Sequence, residues 1–407
     1  MRVRDPVHGD ILIDPAAKDV LATKAMQRLR GLKQLGLTHL VYPGCVHTRF
    51  DHSLGTYHMA KRLYHSSVDE SCREELAAVS CAALLHDAAH MPFGHTLEEE
   101  FGLFGRHDRA ERMTMVLNDT EVKSALLGHG LYDFVVNILL DTLPESRRYL
   151  TDIVKSTIDA DVLDYLRRDA YFAGLVHNYD DRVLESFTVV DGRLVYRLVH
   201  KGLPRPDARS ELVHLLRLRY YLTERLYYHH AKIAASVMLA KVVQKVGFSE
   251  AHLAQLTDEL LLEECRRHAV ESSDHDLLSL FEALKWRRLY KRAFVHAADQ
   301  SLLARFNNVR QFESLIAQKT GLNPIEVGVY CGPRGVLKEA NITILTRRGC
   351  EPLSQGENGD IGELAEQYRR LPRFYVFAPA DKVAPVRLAV EEMLNCRSEY
   401  RKDLTSL

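Results

Sequence analysis

Three histidines and one aspartate lie within the twelve residues LLHDAAHMPFGH, residues 84–95. His86 and Asp87 are adjacent and directly follow an apolar run. On a helix, adjacent residues point about 100° apart, so the two cannot share one apolar stripe, but both can bind one ion near a helix end. His90 lies four residues after His86 and is expected on the same helix face. The alternative is a helix end whose histidines complement the helix dipole.

Two further segments supply partners for this pair. HTRFDHSLGTYHMA offers His52 at the start of a helix, and STIDADVLDYLRRDAYFAGL carries Asp159, Asp161, Asp164 and Asp169 on an otherwise apolar helix. Acidic residues this dense are costly on such a helix unless they are exposed, paired or metal-bound. One upstream histidine, the His–Asp pair and one helical aspartate would form a two-nitrogen, two-oxygen ligand set. Such a set suits Mn, Fe, Mg, Ni or Zn with open positions for water and phosphate.

Composition narrows the class of protein. The chain has 407 residues, of which 46% are hydrophobic and 27% charged, as in soluble globular proteins. The formal net charge of −1 gives no general attraction to nucleic acid or membrane surfaces. No apolar run reaches the roughly 20 residues of a membrane span, and the first residues are unlike a signal peptide, so we expect a cytoplasmic protein. The seven cysteines show no C-x-x-C spacing, which argues against a zinc ribbon or disulfide framework.

Helical periodicity dominates the chain. It predicts helices over residues 18–36, 52–68, 73–90 and 149–175, and one long helix over 210–246. DPVHGDILIDP reads as a strand or hairpin arm, and FTVVDGRLVYRLV as a hairpin around Asp191-Gly192. After about residue 248, NPIEVGVYCG, EANITILTR and RFYVFAPADKVAPVRLAVEEML predict three strands and a helix. We therefore expect a mostly α-helical core over 1–245 and a C-terminal helical and α+β module over 246–407, with a boundary anywhere between 245 and 320.

A family resemblance connects these motifs. HTRFDHSLG, LLHDAAHMPFGH and IDADVLDYLRRD resemble, in order and spacing, the successive motifs of the HD-domain phosphohydrolases. Within that superfamily the chain is most similar to the deoxynucleoside triphosphate (dNTP) triphosphohydrolases, the branch that includes the human SAM-and-HD-domain dNTPase. The resemblance starts at DPVHGDILID, continues through MQRLRGLKQLG, VYPG and YYHHAK, and becomes loose after residue 245. It implies the helical HD-domain fold.

The resemblance also implies roles for individual residues. The ligands of a divalent metal would be His52, His86, Asp87 and Asp161. His90, His95 and His107 would form a catalytic histidine group, in which one histidine acts as general acid toward the leaving oxygen and Glu98 orients it. A carboxylate three residues away on a helix can fix the tautomer of a histidine and raise its pKa.

Substrate contacts carry over to a second set of residues. Gln34 and Leu35 would face the deoxyribose, Arg49 would hold the α-phosphate, and Arg219 a distal phosphate. Tyr165, Asp169 and Tyr227 would surround the sugar and base. A buried tyrosine against the 2′ carbon would exclude ribonucleotides, because a hydroxyl there would clash or stay unpaired. Core packing of an aromatic helix is the alternative for the two tyrosines.

The chain departs from the family pattern at three positions. Val162 stands where the family carries a phosphate-contacting lysine, so one triphosphate contact is missing. Ala22 and Arg4 differ from the residues that read a guanine activator in the human enzyme, so activation at that site is not expected. A SAM domain does not fit beside the HD portion and the tail.

The function expected first is metal-dependent hydrolysis of a dNTP to deoxynucleoside and inorganic tripolyphosphate, by attack of water on the α-phosphorus. The second is hydrolysis of another nucleotide, such as a monophosphate, an NTP or a cyclic dinucleotide. A nucleic-acid-binding regulatory protein is the third, because RSELVHLLRLRYYLTERLYYHHAK and LKWRRLYKR combine basic and aromatic residues. A homo-oligomer is expected, with the 209–245 helix and the C-terminal module as candidate dimer surfaces.

Overall fold

The computed structural model describes residues 1–298, 308–332, 337–355 and 359–400. Helices dominate these ranges, as expected for the HD-domain fold, and none of those described is long and apolar enough to span a bilayer. The helices are α1 Pro15–Ala22, α2 Lys24–Arg28, α3 Arg49–Ser67, α4 Arg73–Leu85, α5 Ala110–Leu117, α6 Thr120–Leu127, α7 Tyr132–Leu139, α8 Tyr149–Val154, α9 Ala160–Phe172, α10 Pro206–Leu222, α11 His230–Val246, α12 Glu250–Leu253, α13 Asp258–Glu271, α14 His275–Lys285, α15 Val309–Thr320, α16 Gly359–Arg369 and α17 Val383–Leu394.

The strands form small sheets around this helical body. They are β1 Arg2–Asp5, β2 Gly9–Leu12, β3 Phe187–Val190, β4 Arg193–Arg197, β5 Val199–His200, β6 Leu203–Pro204, β7 Lys291–Ala297, β8 Gly328–Cys331, β9 Thr343–Thr346, β10 Gly349–Pro352 and β11 Arg373–Ala378. The β1–β2 and β3–β4 hairpins confirm the two predicted from sequence. Asp191 and Gly192 both have positive φ (49° and 76°), the backbone that a two-residue hairpin turn of this type needs.

Three helices predicted as continuous are interrupted. The first breaks at Thr23, which is extended and whose hydroxyl accepts from the Met26 N–H to start α2. The predicted 149–175 helix becomes α8 and α9, with Asp159 capping α9 by accepting from the Val162 N–H. The long helix becomes α10 and α11, separated by a π-helical turn at Thr223–Tyr227. In the first two breaks a side-chain cap satisfies N–H groups that a continuous helix would have bonded internally.

The central layer consists of α3 packed against α4 and α9. Thr48 and Asp51 form a reciprocal capping box at the start of α3. This cap fixes where the helix begins, and Asp51 directly precedes His52. Leu54, Tyr57, Ala60 and Leu63 of α3 are all buried in the main hydrophobic core. Helix α3, which carries His52, is thus held by buried side chains along its length.

The C-terminal region contributes to two different structures. Strands β7, β11 and β8 form an antiparallel sheet that packs with α15 and α17, which confirms the predicted α+β element. Strand β9, however, pairs in parallel with β4 of the hairpin, with Tyr196 opposite Ile344. Ile344, Ile361 and Tyr368 belong to the same core as α3 and α4. The domain boundary at residue 245 therefore stays a prediction, and these contacts cross it.

A fully buried ionic network ties the N-terminal hairpin to α9 and α3. The guanidinium of Arg168 donates to Asp5 (2.8 Å) and to both carboxylate oxygens of Asp164 (2.8 and 2.9 Å). Asp164 also accepts from His8 (2.6 Å) and His52 (2.8 Å). A Cβ at Gly55 would lie 1.9 Å from an Asp164 oxygen, so this close approach requires glycine there.

Replacing the central cation tests the network. Arg168→Met leaves Asp5 and Asp164 buried with one cation fewer, and we expect the free energy of unfolding to fall by about 3–5 kcal/mol. Urea unfolding followed by circular dichroism measures this change. Arg182→Met, which removes the exposed pair with Asp180, is the control and should leave the unfolding midpoint unchanged. Equal midpoints for the two variants would contradict the assignment.

Candidate functional site

The predicted metal ligands come from three helices of the central layer. His52 projects from the first turn of α3, His86 and Asp87 follow the last residue of α4, and Asp161 lies in the first turn of α9. Helix α4 ends at Leu85, so the expectation that His86 and His90 share a helix face is wrong. Residues 86–95 instead form turns, in which the His90 N–H donates to the Asp87 carbonyl.

These four side chains converge on one point. His52 Nε2 lies 2.8 Å from Asp161 Oδ1 and 3.8 Å from Asp87 Oδ2. His86 Nε2 lies 3.5 Å from Asp87 Oδ1 and 3.8 Å from Asp161 Oδ1. The ligand atoms of His52, His86 and Asp87 all lie within 4.8 Å of one another. Two imidazole nitrogens and two carboxylates at these separations can surround one divalent cation.

The hydrogen bonds of the two imidazoles fit a bound metal. Nδ1 of His52 bonds Asp164 (2.8 Å), and Nδ1 of His86 bonds the Ala83 carbonyl (2.7 Å). Each ring can therefore keep a proton on Nδ1, which leaves Nε2 directed toward the centre as in metal-bound histidines. Nε2 of His86 is buried without a hydrogen-bond partner in the described part of the chain. Such an atom is costly unless something ligates it.

Electrostatics favour the same conclusion. Burial opposes ionisation of Asp87, but the charges of His90, Arg49 and His86 hold the pKa of its carboxyl well below its usual range. Burial also opposes protonation of His52, yet its bonds to Asp161 and Asp164 raise the pKa of the imidazole to about 10. The cluster thus attracts positive charge strongly. A divalent cation would have to displace the proton from His52.

The three predicted catalytic histidines lie together beside this cluster. The rings of His90 and His107 stack with centroids 3.4 Å apart, and the His95 ring meets them edge-on at 5.1 and 5.7 Å. His90 is fully buried, and its Nδ1 lies 3.1 Å from Asp87. Burial and the charge of Arg49 lower the pKa of His90 well below its usual value.

The expected pairing of Glu98 with a histidine three residues away is wrong. Glu98 accepts from Nδ1 of His107 (2.9 Å) and from Arg112 (2.9 Å), whereas His95 pairs with Glu99 at 3.5 Å. Residues Thr96–Glu100 form a π-helical turn, whose wider pitch brings positions four apart, rather than three, onto one side. Glu98 can still orient a histidine of the predicted catalytic group, and its hydrogen bond goes to His107.

A cavity of about 660 Å³ opens onto the cluster. The seven predicted substrate-binding residues all line it, together with His86, Asp87, His95, His107 and Asp161: these seven are Gln34, Leu35, Arg49, Tyr165, Asp169, Arg219 and Tyr227. His52, His90 and Glu98 are buried behind its wall. The structure therefore brings together residues that are up to 193 positions apart, and their individual roles stay predictions.

Contacts among the lining residues give the cavity a defined shape. The Tyr227 hydroxyl donates to Asp169 (2.6 Å), whose other oxygen bonds His47 (2.9 Å). The Arg219 guanidinium lies 5.1 and 5.2 Å from the ring centroids of Tyr165 and Tyr227. Arg49 donates to Asp87 at 2.7 Å. A cationic group between two aromatic rings therefore borders the cavity.

Sequence reasoning did not assign three residues that matter here. Asp164 orients His52, and its spacing of three from Asp161 on one helix could have indicated this. His8 lies far from the ligands in sequence and gave no local signal for its bond to Asp164. Lys155 lines the cavity from the loop between α8 and α9, and only the fold places it there.

Comparisons with known proteins agree with this geometry. Residues 159–405 match the family model described as the HD associated region, and residues 49–169 match that of the HD domain. The chain belongs to the HD-domain phosphohydrolase superfamily. Its four candidate metal ligands all lie within the HD-domain match. The family membership and the helical HD fold expected from the sequence motifs are thereby confirmed.

Relatives of this HD-domain protein include both characterised and uncharacterised chains. It is 28% identical over 408 aligned positions to an uncharacterized protein of Methanocaldococcus jannaschii, covering 95% of this chain and 80% of that one. It is 28% identical to the deoxynucleoside triphosphate triphosphohydrolase SAMHD1 of Gallus gallus, covering 59% of this chain and 44% of the relative. A phosphohydrolase structure from Bacteroides thetaiotaomicron superposes with a TM-score of 0.72 at 22% identity, covering 93% and 100% of the two chains. That likeness concerns the fold.

Metal titration tests the ligand assignment. His86→Ala removes a nitrogen ligand and should abolish stoichiometric Mn²⁺ binding, measured by isothermal titration calorimetry on chelator-treated protein. Asp164→Asn leaves all four ligands but loses the partner that orients His52, and affinity should fall about 10–100-fold. His65→Ala, an exposed histidine on α3, is the control. Binding of Mn²⁺ by His86→Ala with unchanged affinity would exclude the site.

Proposed function

We propose that this protein hydrolyses deoxynucleoside triphosphates to deoxynucleoside and inorganic tripolyphosphate. One observation carries the proposal: a single cavity joins the His–Asp cluster and the histidine group to a strip formed by Tyr165, Arg219 and Tyr227. A phosphate chain needs cations and a metal, whereas a nucleoside needs aromatic and hydrogen-bonding groups. The cavity offers both sets side by side. The similarity to SAMHD1, named as a dNTP triphosphohydrolase, supports the same substrate class.

The residues of the chain divide the work as follows. A divalent cation held by His52, His86, Asp87 and Asp161 would activate a water and polarise the α-phosphate. Arg49, on the cavity wall and bonded to Asp87, would hold the α-phosphate beside that cluster. Tyr165 would stand against the 2′ carbon and disfavour a ribose hydroxyl.

His95 is the general acid in this proposal. Its side chain is 47% exposed on the cavity surface and lies 3.5 Å from Glu99. The hydrogen bond to His95 lowers the pKa of Glu99 to about 2 against the opposing effect of burial, so Glu99 stays ionised. The Glu99 carboxylate lies beside the His95 ring, and His95 would deliver a proton to the 5′-oxygen that leaves.

Lys155 offers the charge that Val162 lacks. The structure places Val162 on the cavity wall, where it can give only apolar contact, and Lys155 in the loop that leads into the same helix. Among the described residues the Lys155 ammonium has no hydrogen bond or ion pair. The pKa of Asp108 is lowered mainly by Arg106, then by His107, and to a smaller extent by Lys155. Lys155 therefore lies on the histidine side of the cavity. We assign it to the distal phosphates.

Part of the first basic-aromatic stretch that suggested nucleic-acid binding faces this cavity, whereas the second stretch, with Trp286 exposed, does not line it. Arg219, Tyr227 and Tyr228 all line it, so they are not a solvent-exposed stacking surface. The homo-oligomeric state and the cytoplasmic location stay predictions, and multi-angle light scattering of the purified chain tests the first.

Product analysis tests the proposed reaction. The purified chain is incubated with each dNTP and NTP in Mn²⁺ or Mg²⁺, and the products are separated by ion-pair chromatography. We expect intact tripolyphosphate and deoxynucleoside in equal amounts, and no turnover by Asp87→Ala. Orthophosphate or pyrophosphate as the product would refute attack at the α-phosphorus. Hydrolysis of monophosphates with no activity on dNTPs would replace the proposal by the second function.

Lys155→Ala tests the phosphate contact. Losing one cation at the distal phosphates should raise KM for the dNTP about tenfold, equivalent to ~1.4 kcal/mol, with little change in kcat. Steady-state kinetics give both constants. Lys18→Ala, an exposed lysine on α1 outside the cavity, is the matched control. An unchanged KM in Lys155→Ala would remove this residue from the site.

A further inference from the structure

The turn that carries His90 and His95 is held by two charged side chains from distant parts of the chain, one partly and one fully buried. Arg28 ends α2, and Asp258 begins α13, outside the HD-domain match. Neither has an ion-pair partner among the described residues, and both bond main-chain groups instead. Charged side chains are rarely buried without such a pair. The contacts they make therefore deserve a functional explanation.

Arg28 donates hydrogen bonds to main-chain carbonyl groups of the histidine turn. One guanidinium nitrogen donates to the carbonyls of His90 (2.6 Å) and Ala88 (3.2 Å). The other nitrogen donates to the Leu256 carbonyl (2.9 Å), two residues before Asp258. One planar group thus connects the histidine turn to the segment preceding α13.

Asp258 accepts a hydrogen bond from a main-chain N–H group of the same turn. One oxygen accepts from the Phe93 N–H (3.0 Å), and the other from the Lys33 N–H (2.8 Å). Phe93 has a φ of 51°, in the left-handed region that a non-glycine residue adopts only when its surroundings enforce it. The side chain of Asp258 is completely buried. Its carboxylate therefore stabilises a strained residue between the two histidines.

The second bond of Asp258 reaches the substrate side of the cavity. Lys33 directly precedes Gln34 and Leu35, both on the cavity wall. At Gly31 an added Cβ would lie 2.5 Å from the Thr257 side chain, so the segments pack without space for one. Asp258 thus fixes the histidine turn and the 33–35 segment relative to each other, across 165 and 225 residues of sequence.

We propose that Asp258 is a positioning residue for the reaction, which with Arg28 sets the histidine turn against the substrate-binding segment. The HD associated region thereby completes the geometry of an active site whose metal ligands all lie in the HD domain. The kinetic part rests on the proposed function, because it requires His90 and His95 to act in turnover. The structural part does not depend on which nucleotide is bound.

The test uses Asp258→Asn and Arg28→Met in the full-length chain. Asparagine keeps the volume but offers only one carbonyl oxygen to two N–H groups, so exchange of the Phe93 or Lys33 amide should be at least about tenfold faster by hydrogen–deuterium exchange. We expect kcat to fall about 10–100-fold, the effect of a small misplacement of catalytic groups. Arg28→Met should lower kcat with KM unchanged, because Arg28 bonds the histidine turn but not residues 33–35. Asp258→Asn should also raise KM.

Two controls separate positioning from loss of fold or metal. Asp276→Asn changes an exposed aspartate of the neighbouring helix α14 that accepts from the Asn323 side chain, and it should match the wild type in every measurement. Mn²⁺ stoichiometry and the melting temperature should be retained in both Asp258→Asn and Arg28→Met.

Each outcome decides the proposal. Unchanged amide exchange at residues 33 and 93 would show that Asp258 does not hold the two segments together. Faster exchange with unchanged kcat would show that holding them together has no role in catalysis. Loss of Mn²⁺ from Asp258→Asn would mean that the residue supports the metal site rather than the turn, which also overturns the proposal. If the wild-type chain turns over no dNTP, the proposed function fails, while the exchange data still show whether Asp258 holds the two segments together.

Discussion

The buried ionic network around Asp164 is the constraint on which the site depends. Burial opposes ionisation of Asp164, but the charge of Arg168 and the hydrogen bonds from His52 and His8 hold the pKa of its carboxyl well below its usual range. An ionised carboxylate at this point fixes the proton of His52 on Nδ1 and turns Nε2 toward the candidate metal position. The same network anchors the N-terminal hairpin through Asp5. Fold stability and ligand orientation therefore share one set of hydrogen bonds.

Around that fixed point the site is built in layers of decreasing burial. Asp164 and His52 are inaccessible, His86 and Asp87 border the cavity, and His95 is half exposed on its surface. This order suits hydrolysis, because groups that orient ligands need rigidity whereas a proton donor needs access to substrate and solvent. The histidines differ accordingly: His90 is buried and its pKa is lowered, whereas His95 lies on the cavity surface beside Glu99.

The C-terminal half does more than cover the helical core. Strand β9 extends the β3–β4 sheet, and Tyr368 lines the cavity while also packing in the main core. Asp258 reaches the histidine turn directly. These contacts cross the predicted boundary at residue 245, which stays a prediction. The match to the HD associated region, which begins inside the HD-domain match, is consistent with this interlocking.

The sequence by itself determined the ligand types, the order of the motifs, both hairpins and the helical class, because these follow from local spacing and side-chain chemistry. The motifs alone predict His52, His86, Asp87 and Asp161 as the metal ligands. Only the tertiary structure decided which carboxylate serves which histidine: Glu98 bonds His107, and Glu99 pairs with His95, because a π-helical turn changes the spacing that faces one side. The roles of His8, Lys155 and Asp258 likewise depended on the fold. Their partners are distant in sequence, and no local pattern encodes the distance between two segments that meet only after the chain packs.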